Sequence, residues 1–258
     1  MEKESAANVV VGQANERQKK MSIEIIERLA AAAQVRDEET GGHINRIGAY
    51  AGMIARGLGL PEDYAEMITL AATMHDIGKI GIPDSILLKP TRLTSQEFGI
   101  IKTHTVIGER ILSGSSYPLL QMAASIALTH HERWDGSGYP HGLAGEQIPL
   151  AGRIVMMADQ YDALRSRRAY KPALDHATTC AILSRGDAVT RPEHFDPRIL
   201  KTFLEIEPSF AETFTAQGKQ ELTPPRKAAA LRAPAPAPLY RGRPGRFAAL
   251  TIYLSSQL

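Results

Sequence analysis

Five of the eight histidines in this 258-residue chain fall, with two aspartates, in an order that suits metal chemistry. They are His43, the pair His75–Asp76, His104, the pair His130–His131, and Asp159. Neutral imidazole together with carboxylate is a ligand set for iron, manganese, zinc or nickel. A carboxylate such as Asp76 can bridge two ions about 3.5–4 Å apart, with histidines as terminal ligands. Glu39 precedes His43 by four residues, a spacing that puts both on one face if helical, although Gly41–Gly42 between them suits a turn equally well. Lys79 follows Gly78 in a tight turn beside the His–Asp pair, where a cation can neutralise charge on phosphoryl oxygens. Tyr139 sits in the glycine-rich run His130–Pro140, where an exposed ring could stack on a guanine.

Helices must position these groups. Ile23, Ile25, Ile26, Leu29 and Ala33 recur at helical spacing and predict an amphipathic helix over 22–36. A second is predicted over 43–58, with Ile44, Ile47, Ala51 and Ile54 on one face, and a third over 62–75. Residues 78–83, with two glycines and a proline, cannot be regular helix. Thr94 with Glu97 forms a capping-box pattern that opens a helix carrying His104 and running to about Leu112. Pro118–His131 follows, then a Gly/Pro-rich loop over 132–150, a helix over 153–166 bearing Asp159, and shorter helices over 175–183 and 197–204. No segment alternates as a strand does, so the fold class is all-α, a helical bundle.

The ordered set His75-Asp76-Ile77-Gly78-Lys79-Ile80-Gly81-Ile82-Pro83, then His130-His131-Glu132 and Gly138-Tyr139-Pro140, resembles the HD-GYP family of cyclic di-GMP phosphodiesterases, a branch of the HD metal-dependent phosphohydrolases. The likeness covers about residues 22–210. It implies that Asp76 bridges two ions, with His75 and Asp159 serving one and His104, His130 and His131 the other. Glu39 and His43 would accompany a third. It implies two or three divalent ions, iron or manganese, and catalytic roles for Asp76 and Lys79. It places Lys79, Tyr139, Arg168 and Lys171 near substrate, and Asp37, in the acidic run before His43, joins these contacts. The reaction implied is hydrolysis of cyclic di-GMP to the linear dinucleotide pGpG, and on to GMP in some members, by a metal-bridging hydroxide. Partners would be cyclic di-GMP, a diguanylate cyclase or an upstream sensor or receiver domain, and a second copy in a homodimer. The rival readings are another cyclic dinucleotide or nucleotide as substrate, and an inactive module that binds cyclic di-GMP or a protein.

One stretch departs from the family's pattern. Arg165, Arg167 and Ala169 stand where Thr, Asp and Pro are frequent, which would make the substrate entrance more basic. His141, His176 and His194 match no ligand position and read as structural or exposed.

Bulk properties narrow the class further. A net charge of +2 argues for neither a nucleic-acid polymer nor a membrane surface. A single cysteine, Cys180, excludes an intrachain disulfide and fits a reducing, cytoplasmic setting. No run reaches the roughly 18 apolar residues of a membrane span. Residues 1–21 read as a stub or linker, and 211–258 as a Pro/Ala/Arg-rich disordered tail with no role in catalysis.

Overall fold

The first long helix forms because Ile47, Tyr50, Ala51 and Ile54 recur at the helical period, and all four are fully buried. This helix, α1 (Gly42–Gly57), is followed by α2 (Glu62–Ala71), α3 (Asp84–Leu87), α4 (Ser95–Lys102) and α5 (His104–Leu112). Then come α6 (Pro118–Thr129), α7 (Leu150–Arg165), α8 (His176–Arg185) and α9 (Pro197–Glu221). The computed structural model describes residues 23, 24, 26, 28–30, 42–166 and 173–221, the last five by backbone alone. Among these residues there is no strand, only an isolated bridge between Asp135 and Ala144. The fold is an all-α bundle, and none of the helices described is long and apolar enough to cross a membrane.

One core joins the helices. α1 packs against α2, α7 and α9, and α6 packs against α2, α5 and α7. Ile68, Met74, Ile126, Ile154 and Met157 fill the middle with essentially no exposure. At one end Tyr50 stacks on Phe210 at 4.3 Å between ring centroids, with Tyr161 and Phe203 set edge-on around them. Burying rings of this size contributes about 1.5–3 kcal/mol each.

Four expectations need revision. The helix expected over 62–75 leaves α-geometry after Ala71 and tightens to a 3₁₀ turn, Ala72–Met74. The helix expected over 94–112 is two helices broken at Thr103. Its capping box is present: Thr94 Oγ1 accepts from Glu97 N at 3.2 Å, and the Glu97 carboxylate accepts from Thr94 N at 2.8 Å. The break follows from three successive side chains, Thr103, His104 and Thr105, which donate to the carbonyls of Ile100, Ile101 and Lys102. The helix expected over 197–204 runs to Glu221 and passes through Pro208, beyond the residue 210 at which a tail was expected to begin. The loss of one hydrogen bond at Pro208 is outweighed because Phe203 and Phe210, on the same helix, are fully buried. Near the N-terminus Ile26 and Ala30, one turn apart, form the buried face, while Leu29 is 53% exposed.

Candidate metal centre

Asp76 sits where the chain turns out of α2, at φ −100° and ψ 11°. The 3₁₀ turn after it, Ile77–Gly81, lies flat against α5. A Cβ on Gly78 would stand 1.9 Å from the His104 carbonyl oxygen, so only glycine permits this approach. The contact sets Asp76 Oδ1 3.2 Å from His104 Nε2 and 3.6 Å from His130 Nε2. On the other side Asp76 Oδ2 lies 3.1 Å from His75 Nε2 and 2.9 Å from Lys79 Nζ.

The backbone fixes the ring orientations. His75 Nδ1 donates to Ala72 O at 2.9 Å, His104 Nδ1 to Ile101 O at 2.7 Å, and His130 Nδ1 to Ile126 O at 3.0 Å. A carbonyl can only accept, so each Nδ1 carries the proton, and Nε2 is the atom that presents a lone pair when the ring is neutral. His104 Nε2 and His130 Nε2 face each other at 3.4 Å, two acceptors when both rings are neutral. His75 Nε2 and Asp76 Oδ1 are buried and make no hydrogen bond. Buried polar atoms left this way cost about 1–3 kcal/mol each, and a cation among them removes the cost.

Charge at the centre agrees. Burial pushes His130 down, and pushes His131 well below the ordinary histidine range with His130 adding to it, so both favour the neutral, ligating form. Burial would also depress His75, but the Asp76 carboxylate, with Asp159 beyond it, outweighs burial and raises it to about 9. A cation would take the place of that proton. Burial opposes ionisation of Asp76, yet Lys79 and His75 prevail and hold the carboxyl well below its usual range.

Two groups of ligand atoms share Asp76. One is Asp76 with His104, His130 and His131; the other is Asp76 with His43 and His75; within each, the atoms lie within 4.8 Å of one another. Asp159 stands beside the second group, its Oδ1 3.9 Å from His43 Nε2. His43 thus lies with His75 and Asp159. The donor set, nitrogen and oxygen only, fits divalent metal ions of the kind HD-domain phosphohydrolases use. His43 Nδ1 is 2.7 Å from Asp162 Oδ2, a carboxylate that also takes a bidentate pair from Arg46 at 2.6 and 3.0 Å. Asp162 was not among the sequence candidates. Its position three residues after Asp159, on the same face of α7, was the available signal.

The other candidates divide. Tyr139 is half-buried, with one ring face stacked on His131 at 4.7 Å and Lys102 Nζ 5.1 Å from its centroid, so it is less open than expected. Burial, then the charges of Asp76 and Asp159, raise its hydroxyl above the ordinary tyrosine range. The loop is held by buried Glu132, which accepts from His141 N at 2.7 Å and Leu143 N at 3.0 Å. The Arg165 guanidinium lies over the Phe214 ring at 4.4 Å. His176 meets Cys180 and Glu207. Asp37, Glu39, Arg168 and Lys171 lie outside the described residues, as do Arg167, Ala169 and the chain beyond Glu221.

Comparison with known proteins follows this geometry. A family model described as HD domain matches residues 24–199. The chain is 45% identical over 200 residues to a cyclic di-GMP phosphodiesterase of Thermotoga maritima, covering 77% of this chain and 53% of that protein. It is 43% identical over 185 residues to a 3'3'-cGAMP-specific phosphodiesterase of Vibrio cholerae, covering 71% and 34%. The chain thus spans about half or less of the length of these relatives. A solved HDG"Y"P protein from Bdellovibrio bacteriovorus superimposes with a TM-score of 0.53 at 18% identity, covering 73% of this chain and 61% of that one, a likeness of fold.

Proposed function

From the premise that the chain belongs to the HD-domain family, in its HD-GYP branch, we propose that it hydrolyses cyclic di-GMP to pGpG, and on to GMP, at a centre of two or three iron or manganese ions. The observation that carries this reading is the convergence of the Nε2 atoms of His104 and His130, 3.4 Å apart, beside a buried Asp76 oxygen without a hydrogen bond. Asp76, shared by both ligand groups, would hold ions on both sides. His43, His75 and Asp159 complete one side and His104, His130 and His131 the other, with Glu39 the candidate for a further ion.

Bound divalent ions would supply a water of lowered pKa and positive charge for the phosphoryl oxygens. The chain's own residues do the rest. Lys79, 2.9 Å from Asp76, adds a cation at the edge of the centre, where negative charge grows in the transition state. Tyr139, backed by His131, is the proposed aromatic contact to a base. Arg168 and Lys171, nine and twelve residues beyond Asp159, are the proposed contacts to the substrate away from the reacting phosphorus, and Asp37 is proposed as a further one.

A second substrate reading has its own support in the 43%-identical cGAMP-specific relative: another cyclic dinucleotide in place of cyclic di-GMP. We take residues 22–221 as the catalytic unit of a cytoplasmic signalling protein, with a sensor or receiver domain, a diguanylate cyclase or a second copy as partner. Anaerobic purification, metal quantification and product chromatography on cyclic di-GMP and on cGAMP test the proposal together. Two or more ions per chain with pGpG or GMP as product is the expected result. Less than one ion per chain, unrestored by manganese or iron, overturns the metal centre. An intact centre with cGAMP alone consumed overturns the substrate.

A further inference from the structure

A second set of ligating side chains lies away from the Asp76 centre, between α8, α9 and α7. His176 and Cys180 are four residues apart on α8, so they project from one face of it. Glu207 reaches the same point from α9, and its Oε2 contacts His176 Nε2. Cys180 Sγ lies 3.7 Å from His176 Nε2. Ligand atoms of all three residues fall within 4.8 Å of one another. Zinc–sulfur and zinc–nitrogen bonds of about 2.3 and 2.0–2.1 Å at a tetrahedral angle place the two ligand atoms about 3.6 Å apart, close to what is seen here.

The rest of the histidine is arranged as a ligating ring requires. Its Nδ1 is 2.9 Å from the Tyr161 hydroxyl. With Nδ1–H donating to Tyr161 Oη, the outer hydrogen bond typical of metal-bound histidines, Nε2 is left as the ligating atom on the Glu207 side, with Cys180 Sγ 3.7 Å from both ring nitrogens. The His176 and Glu207 side chains retain 25% and 31% exposure, so water can enter as a fourth ligand.

We propose that His176 Nε2, Cys180 Sγ and Glu207 Oε2 form a zinc-binding site, distinct from the Asp76 centre, that joins α8 to α9. The thiolate distinguishes it. Sulfur ligation favours zinc over the harder manganese, and zinc also stands above manganese and ferrous iron in divalent affinity. The Asp76 centre offers only nitrogen and oxygen. On binding, the Cys180 thiol gives its proton to water and the sulfur takes the metal in its place. Through Tyr161, the site is tied to α7, the helix that carries Asp159 and Asp162.

Cobalt(II) substitution in the full chain provides the test, because the chain has one cysteine. Any thiolate-to-cobalt charge-transfer band in the near ultraviolet must come from Cys180. The expected result is such a band at one equivalent of cobalt, displaced by one equivalent of zinc. Cys180→Ser should abolish it and remove one zinc per chain while the protein retains the metal of the Asp76 centre. Glu207→Gln, which keeps the cysteine, should weaken zinc at least tenfold. Circular dichroism of each variant establishes that it is folded. A parent protein showing only the weak visible bands of nitrogen and oxygen ligation overturns the proposal and leaves Tyr161–His176–Glu207 as a hydrogen-bonded strut. Unchanged zinc affinity in Glu207→Gln overturns the three-ligand site.

Discussion

Asp76 and Asp162 are both carboxylates sunk into the bundle beside histidines, yet their surroundings are opposite. Asp162, with no exposed side-chain surface, takes hydrogen bonds from Arg46 Nε, Arg46 Nη2 and Ser166 Oγ and meets His43 Nδ1. Asp76 has Lys79 on one oxygen, while its other oxygen makes no hydrogen bond among ring nitrogens that carry lone pairs. A carboxylate whose lone pairs are all used is part of the scaffold. One whose lone pairs converge with those of neutral imidazoles is arranged for a cation. The two are linked through His43, which turns Nδ1 to Asp162 and Nε2 toward Asp159.

The largest effect that can break this contrast is on rate. Asp76→Ala should lower hydrolysis by at least about a thousandfold, about 4 kcal/mol of barrier, while the thermal midpoint stays near that of the parent. Activity within about tenfold of the parent would remove Asp76 from the bridging position.

Asp162→Ala should act the other way round, on stability first. Removing one partner of a buried ion pair leaves Arg46 buried and uncompensated, at a cost of about 3–5 kcal/mol. Denaturant unfolding measures it, and a loss below about 1 kcal/mol would show that the pair is not a strut. Acid should reveal the same group. Burial opposes ionisation of Asp162, but His43 and Arg46 outweigh it and hold its carboxyl at about 2 against an ordinary 3.8. A depressed carboxyl contributes stability that is complete above about pH 4 and lost as pH falls through about 2, on the order of 2 kcal/mol for this group. The alanine variant should lack that part of the acid slope.

Gly78→Ala separates the two regions. The added Cβ must push the turn off the His104 carbonyl, a clash with backbone that costs about 1–3 kcal/mol. It displaces Asp76 from His104 and His130 without touching Asp162. Metal affinity should fall while the acid slope assigned to Asp162 is kept; loss of both together would mean the two carboxylates are not independent.

The smallest effect is expected farthest from the reacting atoms. Arg168→Ala and Lys171→Ala should raise KM several-fold with kcat little changed, since uniform binding is lost equally from ground and transition states. Steady-state kinetics on cyclic di-GMP decides this, and a large fall in kcat at constant KM would move these residues into the chemistry.

Much of the molecule can be read before folding. The 3.6-residue recurrence of Ile47, Ala51 and Ile54 gives α1, and Thr94 with Glu97 gives the start of α4, because periodicity and capping are local properties of the chain. The pairs His75–Asp76 and His130–His131 declare metal chemistry for a similar reason: few packing roles ask for those residue types together. The break at Thr103 is also local in cause, but it depends on side chains competing for carbonyls that a continuous helix would use, a choice that periodicity does not register.

Other features arise only when distant segments meet. The pairing of His43 with Asp162 spans 119 positions, and that of His176 with Glu207 spans 31. Linear spacing carries no information about such contacts, because packing of α1 on α7 and of α8 on α9 decides which side chains share a point in space. The amino-acid sequence by itself determined the helical class, the types of ligand and the glycine that lets a turn approach α5. Tertiary structure alone decided which histidine lone pairs converge on Asp76, which carboxylate is spent on an arginine, and which glutamate stands beside His176 and Cys180. The physical reason is that hydrogen bonding, burial and charge act through distance in three dimensions, and folding sets those distances.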